Sequence, residues 1–170
     1  RLLLRRPELL ETQFAAILRA GAIGPVRITL PMVTTVGEVR AAREILDRVV
    51  RRLRRRGERL PDKLPPLGIM IETPGAALAA DALALEADFF AIGTNDLTAY
   101  TLAVDRADSD VAHLYDPTHP AVLRLIQFAT EAALRLRMPV SVCGEMAANP
   151  RLTPLLLGLG LRSFSMNASA

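Results

Sequence analysis

Five short apolar segments, rich in β-branched residues, alternate along this chain with longer segments whose apolar residues recur at helical spacing. The five segments are residues 26–32, 67–72, 88–93, 140–143 and 164–166. A continuous apolar run is typical of a parallel strand buried on both faces, and each parallel connection needs a crossover, usually a helix. The alternation therefore predicts an α/β fold, which is either an open doubly wound sheet or part of a (β/α)8 barrel.

The positions of the polar side chains favour the barrel. Glu72, Asp96 and Cys143 come at or just after the carboxyl ends of predicted strands, which is the face that carries the active site in barrels. A complete barrel needs eight repeats in about 250 residues, whereas these 170 residues hold five. We therefore predict a partial (β/α)8 TIM barrel with about five β/α units, forming one domain over residues 1–170 that is truncated at both ends.

Local signals place the ends of several helices. Three segments have the cap-plus-proline signature of a helix start: Thr73-Pro74, Thr118 with Pro120, and Asn149-Pro150. The first predicts a helix over residues 75–87, and the last predicts a Leu-rich helix. Between them, the turn at residues 93–96 leads into a predicted loop that ends near Pro117.

The chain is basic, with a net charge of +3 and a pI near 9.7, and all but one of its 21 basic residues are arginines. The densest Arg cluster, residues 48–56, lies on a predicted helix whose other face is apolar, which indicates a solvated surface. Only 4% of the residues are aromatic, and none interleaves with these charges. We therefore expect no nucleic-acid partner.

Cysteine usage and hydropathy indicate a location. The single cysteine excludes an internal disulfide. The longest apolar stretch, residues 76–92, contains Asp81, Glu86 and Asp88, which makes it too polar for a span of about 20 apolar residues. We expect a cytoplasmic protein without a membrane partner.

Two carboxylates are candidate metal ligands. Glu72 and Asp96 follow neighbouring predicted strands, so both project toward a shared space. Mg2+ usually takes one or two protein carboxylates and completes its shell with water and phosphate oxygens. An alternative reading is equally open at this point, in which Glu72 caps the following helix and Asp96 stabilises a turn.

Other polar residues near these strand ends could bind an anion or carry a proton. Arg106 or Arg27 could clamp a phosphate with a planar guanidinium, although most arginines of such a chain lie on the surface. Asn95 could donate to an anion or merely stabilise its turn. Cys143 is either a buried, inert thiol or a general acid that is protonated near neutrality.

Several motifs are similar to one family. They are Gly-Ile-Met-Ile-Glu-Thr-Pro at 68–74, Phe-Phe-Ala-Ile-Gly-Thr-Asn-Asp-Leu-Thr at 89–98, Tyr-Thr-Leu-Ala-Val-Asp-Arg at 100–106, Cys-Gly-Glu at 143–145, Phe-Ser-Met at 164–166 and Arg-Ile-Thr-Leu-Pro-Met at 27–32. Over essentially the whole chain, they resemble the phosphoenolpyruvate (PEP)-binding domain of enzyme I of the bacterial sugar phosphotransferase system. Pyruvate phosphate dikinases and PEP synthases share the Gly-Thr-Asn-Asp and Cys-Gly-Glu elements, whereas the run at 100–106 is typical of enzyme I.

The resemblance implies a PEP-binding barrel and assigns metal and proton roles. It implies that Glu72 and Asp96 bind Mg2+. It also implies that Cys143 is catalytic and protonates the enolate carbon, so that pyruvate is released.

For the substrate, the resemblance implies that Arg27, Asn95, Asp96 and Arg106 form the binding site. In this arrangement Asn95 and Arg106 hold the phosphate and the carboxylate, and Arg27 assists the phosphate. Ala99 stands where the family commonly has Gln, a change that we expect to be mild.

The implied reaction is phosphoryl transfer from PEP to a histidine on a separate domain of the same parent protein, and from there to a histidine-containing phosphocarrier protein. His113 and His119 lack the family's acceptor setting, and we expect them to have loop or cap roles. The resemblance also implies a homodimer formed through the barrel. Three alternatives stay open: a dikinase or synthase domain, a non-catalytic dimerisation module, and a metal-dependent lyase.

Overall fold

The computed structural model describes residues 2–169. Within this range, one sheet contains five parallel strands: β1 (Ile28–Leu30), β2 (Leu67–Ile71), β3 (Phe90–Gly93), β4 (Val140–Cys143) and β5 (Phe164–Ser165). The α-helices are α1 (Leu2–Arg5), α2 (Pro7–Gly21), α3 (Val36–Arg55), α4 (Pro74–Leu78), α5 (Ala80–Ala84), α6 (Thr94–Leu102), α7 (Pro120–Arg135), α8 (Glu145–Ala148) and α9 (Thr153–Gly158).

The order of the strands distinguishes the two predicted architectures. Neighbouring strands follow one another in sequence, β1-β2-β3-β4-β5, and every pair is parallel. A doubly wound sheet reverses direction at a switch point, whereas a barrel adds each strand on the same side of the previous one. The prediction of a partial barrel with five β/α units is confirmed.

The strand register aligns the carboxyl ends of β2 to β5. Ile71 pairs with Ile92, Gly93 pairs with Cys143, and Cys143 pairs with Ser165. The residues that follow these strands therefore leave the sheet along one edge, which we call the carboxyl edge.

The core between the sheet and the helices is mainly aliphatic, as the composition predicts. Helix α3 shows how the sequence produces it: Val39, Leu46, Val49 and Leu53 lie on one face and are at most 4% exposed. The arginines of α3 occupy its other positions, and Arg52 forms an ion pair with Glu11 of α2. No helix among residues 2–169 is long and apolar enough to cross a membrane.

The helix predicted over residues 75–87 begins as expected but is divided. The Thr73 hydroxyl accepts a hydrogen bond from the Ala76 N–H, and Pro74 is the first helical residue. Ala79, with φ of −95° and ψ of 14°, separates α4 from α5. Helical periodicity of apolar residues continues across such a break, so the sequence pattern does not reveal it.

The turn predicted at residues 93–96 and the first part of the loop predicted to follow it are wrong, because residues 94–102 form helix α6. Thr98 and Thr101 donate their hydroxyls to the carbonyls of Thr94 and Leu97, at 2.7 and 2.5 Å. Threonine has poor helix propensity, and polar residues hide the periodicity. Tertiary packing overrides both, because Leu97, Thr94 and Thr98 are fully buried.

Two predicted caps are displaced. Helix α7 is capped by His119, whose Nδ1 accepts from the Ala121 N–H at 3.2 Å, whereas Thr118 bonds to Asp116. The cap role expected for His119 is confirmed.

The helix start predicted at Asn149-Pro150 is also wrong. An unpredicted short helix, α8, ends at Ala148, and α9 begins only at Thr153. The Asn149 carboxamide instead accepts from the Arg151 N–H at 3.0 Å, which makes a turn.

Candidate active site

Glu72 leaves β2 at the carboxyl edge and is only 7% exposed. Its Oε1 accepts a hydrogen bond of 2.7 Å from the backbone N–H of Met32, a residue in the left-handed region with φ of 54°. Gly93 leaves room for the carboxylate, because a Cβ there would lie 3.0 Å from Glu72 Oε2. The segment after β1 thus fixes one oxygen of Glu72, and the end of β3 leaves room for the other.

Asp96, in the first turn of α6, lies near Glu72, and its charge acts on the Glu72 carboxylate. Burial raises the pKa of Glu72, the Met32 N–H opposes this shift, and the negative charge of Asp96 raises the pKa further. A buried carboxylate whose pKa is raised by the charge of a neighbouring carboxylate belongs to a pair that a cation would stabilise.

Among the described residues, no cluster of three or more His, Cys, Asp or Glu side chains could hold a metal ion. The Glu72–Asp96 pair is nevertheless the donor set expected for Mg2+, which keeps several waters and uses one or two carboxylates plus phosphate oxygens. The residues that the chain offers therefore fit this ion.

The thiol of Cys143 lies at the end of β4, between Ile92 and Met70. Its Sγ is 3.5 Å from the Ile92 carbonyl oxygen and 3.7 Å from the Met70 Sδ. Burial raises the pKa of this thiol, and the charges of Glu72 and Asp96 raise it further. A cysteine in this environment stays protonated near neutrality and can deliver a proton.

Asn95 is oriented by the segment that follows β4. Its Oδ1 accepts a hydrogen bond of 2.9 Å from the Glu145 N–H. Because a backbone N–H can only donate, the oxygen must face Glu145, and the carboxamide presents its N–H donors elsewhere. Gly144, with φ of 97°, permits this approach, since a Cβ there would lie 2.7 Å from Asn95 Oδ1.

Arg106 lies in the loop after α6 and has two partners. Its Nη1 donates to Glu145 Oε1 at 3.1 Å, and its Cζ lies 5.6 Å from the centroid of the Tyr115 ring. Asp96 and Arg106 both line a groove of about 770 Å3, together with Ala99, Tyr100, Ala103, Val104, Asp105 and Ala107. One carboxylate of the pair and the guanidinium therefore border the same groove.

The structure does not bring Arg27 to this cluster. Arg27 precedes β1, and its guanidinium lies 5.5 Å from the centroid of the Phe89 ring, just before β3. Both residues are at the amino ends of their strands. The carboxyl edge is about 15 Å away, at 3.3 Å per residue along a strand such as β2, so the predicted contact of Arg27 with the phosphate does not fit this position.

The sequence patterns indicate no role for Glu145, Tyr115 or the Met32 backbone, although all three contact predicted site residues. Glu145 could have been found, because it belongs to the Cys-Gly-Glu motif. Tyr115 stands in a loop without periodicity, and a backbone N–H has no signal in the sequence.

These features define a class of protein when they are compared with known families. The family of PEP-utilising enzymes, PEP-binding domain, matches residues 1–170, and the chain belongs to this family. Its more similar curated relatives are named phosphoenolpyruvate-protein phosphotransferase, which agrees with the resemblance seen in the motifs.

The relatives are similar over almost the whole chain. The protein from Cupriavidus necator is 48% identical over 164 residues, covering 96% of this chain and 28% of its own length. Those from Haemophilus influenzae and Listeria monocytogenes are each 46% identical, covering 99% and 100% of this chain but 29% and 30% of their own lengths. The chain thus spans less than a third of these relatives.

A solved structure supports the fold alone. A citrate lyase from Burkholderia xenovorans superimposes with a TM-score of 0.60 at 19% identity, covering 94% of this chain and 55% of that one.

Proposed function

We propose that this chain binds PEP together with Mg2+ and belongs to an enzyme that transfers the phosphoryl group to a histidine of a partner domain, releasing pyruvate. The observation that carries the proposal is the arrangement at the carboxyl edge. A carboxylate pair, an oriented carboxamide, a protonated thiol and an arginine gather there, and Asp96 of the pair lines one groove with the arginine, Arg106. The names of the curated relatives support the same reaction.

In this proposal Glu72 and Asp96 hold the Mg2+ ion. When bound, the ion neutralises charge on the phosphoryl group as it moves. The chain's contribution is to keep two carboxylates close together at a site where Met32 already fixes one oxygen of Glu72. A bound cation relieves the repulsion between them.

The anionic groups of PEP are held by Asn95 and Arg106. The Asn95 carboxamide faces Glu145 with its oxygen, so its N–H donors are available for phosphate or carboxylate oxygens. The Arg106 guanidinium offers a fork of donors that matches either group. Its present partner, Glu145, is 72% exposed and can be exchanged for a substrate anion.

Cys143 completes the reaction. The bond between phosphorus and the enol oxygen breaks, the phosphoryl group bonds to a histidine nitrogen, and the enolate is left. The carbon of the enolate takes the proton of the Cys143 thiol, which gives pyruvate and a thiolate. The raised pKa of Cys143 favours the protonated form that this step requires.

The acceptor histidine comes from outside the chain in this proposal. His119 caps α7 through its Nδ1, and His113 lies in a 3-10 turn, Ala112–Leu114. We propose a phosphohistidine domain of the parent polypeptide as the acceptor and a histidine-containing phosphocarrier protein as the next partner. Dimerisation through the barrel and a cytoplasmic location stay predictions.

Calorimetry tests the binding part of the proposal. The chain is titrated with PEP at saturating Mg2+, and Glu72→Gln and Arg106→Ala are compared with Glu86→Gln, a carboxylate paired with Arg40 outside the site. We expect the first two variants to lose at least tenfold in affinity and the control to match the wild type. Absence of heat with the wild type, or equal binding by Glu72→Gln, would overturn the proposal.

The acceptor is tested separately. The chain replaces the matching segment of the Listeria monocytogenes relative, and transfer from PEP labelled in its phosphoryl group is followed. An acid-labile, base-stable phosphoprotein, formed with one pyruvate per phosphoryl group, is expected of a histidine acceptor. Carbon–carbon cleavage products would favour the lyase, and binding without transfer would favour a non-catalytic module.

A further inference from the structure

Tyr115 lies directly behind the proposed anion-binding residues. The Arg106 guanidinium carbon is 5.6 Å from the centroid of its ring, within the range of a cation–π contact. The ring is partly buried, and its hydroxyl lies 3.5 Å from the Asn95 carbonyl oxygen of α6. This burial and the contact with α6 restrict the position of the ring, whereas Arg106 lies on the loop that follows this helix.

Four residues form a closed circuit of contacts. Tyr115 contacts the Asn95 backbone, Asn95 Oδ1 accepts from the Glu145 N–H, Glu145 Oε1 accepts from Arg106, and Arg106 lies over Tyr115. Asn95 and Arg106 are the proposed anion ligands, and Tyr115 and Glu145 hold them in place. Glu145 is the one that a substrate anion would displace from Arg106, so Tyr115 is the contact that remains when substrate is bound.

We propose that Tyr115 is a positioning residue that holds the Arg106 guanidinium over the groove in the orientation needed for a phosphate or carboxylate of the substrate. This inference rests on the proposed function. An arginine side chain has many rotamers, and ordering them opposes binding. A ring that restricts the guanidinium in advance reduces this cost and raises affinity.

The ring, and not the hydroxyl, carries the effect. A separation of 3.5 Å between oxygen atoms is long for a hydroxyl donor, so the bond to Asn95 is weak. The attraction to a cation depends on the face of the ring, which phenylalanine also has. Tyr115→Phe therefore keeps the cation–π contact with Arg106, whereas Tyr115→Leu removes it.

Calorimetry with PEP at saturating Mg2+ tests the proposal on the 170-residue chain. We expect Tyr115→Leu to weaken PEP binding about three- to tenfold, as loss of a cation–π contact implies, and Tyr115→Phe to stay within about twofold of the wild type. In the Arg106→Ala background, Tyr115→Leu should cause no further loss, because the guanidinium that it positions is gone. Binding of Mg2+ alone should not change.

Phe128→Leu is the matched control. On α7, the Arg124 guanidinium carbon lies 6.0 Å from the centroid of the Phe128 ring. Phe128→Leu therefore removes the same kind of cation–π contact at a place outside the site. It should leave PEP affinity unchanged. Tyr115→Met, which fills similar space without an aromatic face, repeats the comparison and replaces Tyr115→Leu if circular dichroism shows that variant to be unfolded.

The outcomes separate this inference from the proposed function. If the wild type does not bind PEP, both are overturned. If the wild type binds, Arg106→Ala weakens binding, and Tyr115→Leu and Tyr115→Met bind as the wild type does, only the role of Tyr115 is overturned. The same conclusion follows if the losses from Tyr115→Leu and Arg106→Ala are additive, since Tyr115 would then act independently of Arg106.

Discussion

At the scale of single residues, the thiol of Cys143 is the group whose chemistry depends most on its neighbours. Burial, Glu72 and Asp96 all raise its pKa. Because it is the only cysteine, alkylation reports on this site alone. In a metal-free buffer with a chelator, we expect the rate of alkylation by iodoacetamide to rise with pH, with a midpoint above that of a free cysteine.

Asp96→Asn should lower the pH midpoint of Cys143 alkylation. Removing a nearby negative charge favours the thiolate, so the variant reacts faster than the wild type at a given pH below the midpoint. Burial remains, and the midpoint should therefore stay above that of a free thiol. Asp81→Asn, which alters a carboxylate paired with Arg135 away from the site, is the control. A rise or no change with Asp96→Asn would contradict the expectation.

Gly144 is a residue whose replacement should damage the site more than the fold. Its φ of 97° disfavours a side chain, and a Cβ would lie 2.6 Å from Thr94 Oγ1 and 2.7 Å from Asn95 Oδ1. We expect Gly144→Ala to cost roughly 2–4 kcal/mol of unfolding free energy from backbone strain and overpacking. PEP affinity should fall as well, because Asn95 must move.

Urea unfolding and calorimetry check both effects against Gly158→Ala. Gly158 ends α9 and has no atom within 4 Å of a built Cβ. Alanine there should be neutral or should stabilise by up to about 1 kcal/mol, since glycine is a poor helix former. Equal stability of Gly144→Ala and the wild type would contradict the argument.

At the scale of elements, the start of α3 is stabilised by a capping box. Thr35 Oγ1 accepts from the Glu38 N–H at 3.3 Å, and Glu38 Oε2 accepts from the Thr35 N–H at 2.9 Å. We expect Thr35→Ala to lower the unfolding free energy by about 1 kcal/mol, and Thr35→Ser to preserve it. Thr12→Ala, within α2, removes an exposed hydroxyl whose hydrogen bond within residues 2–169 is to the Glu8 carbonyl, and it should be nearly neutral. Urea denaturation distinguishes the three variants.

Elements with a strong pattern were predicted and those without one were not. The five strands are apolar runs bounded by polar or turn residues, so their existence and order follow from the sequence, although β1 is shorter than residues 26–32. The start of α4 follows from Thr73 and Pro74, whose roles are local. Helix α6 has no apolar stripe, and its formation depends on burial between other elements, which a local pattern does not contain.

The residues of the candidate site also fall into those that a sequence pattern locates and those that it does not. Residues placed directly by a strand end, such as Glu72 and Cys143, could be located from sequence because a parallel sheet aligns those ends. Arg27 lies near the amino end of β1 in both the predicted strand and the structure, so its expected contact with the phosphate rested on the resemblance and not on the strand pattern. Tyr115 could not be found, since its contact with Arg106 is made between two parts of a loop.

At the scale of the whole molecule, ion pairs connect segments of the helical layer that are distant in sequence. Arg19 of α2 binds Glu58 through two hydrogen bonds of 2.7 and 3.0 Å, and Arg40 of α3 binds Glu86 at 2.6 Å. The guanidinium of Arg19 lowers the pKa of Glu58, and that of Arg40 lowers the pKa of Glu86. Both pairs are on the surface, where such contacts are individually weak and screened by salt.

These shifts predict how acid affects stability. A carboxylate with a lowered folded-state pKa contributes stability that is present above its unfolded value, 4.5 here, and is lost as the pH falls through the folded value. We expect the double variant Glu58→Gln/Glu86→Gln to have a lower urea midpoint than the wild type at pH 7. The difference should shrink as the pH falls below 4.5, because the wild-type carboxyls are then progressively protonated, and should also shrink in high salt. Glu44→Gln changes an exposed carboxylate of α3 that forms no ion pair within residues 2–169, so its midpoint should match the wild type at pH 7 and in acid. A difference that did not shrink in acid would show that the glutamates stabilise the layer by packing and not by charge.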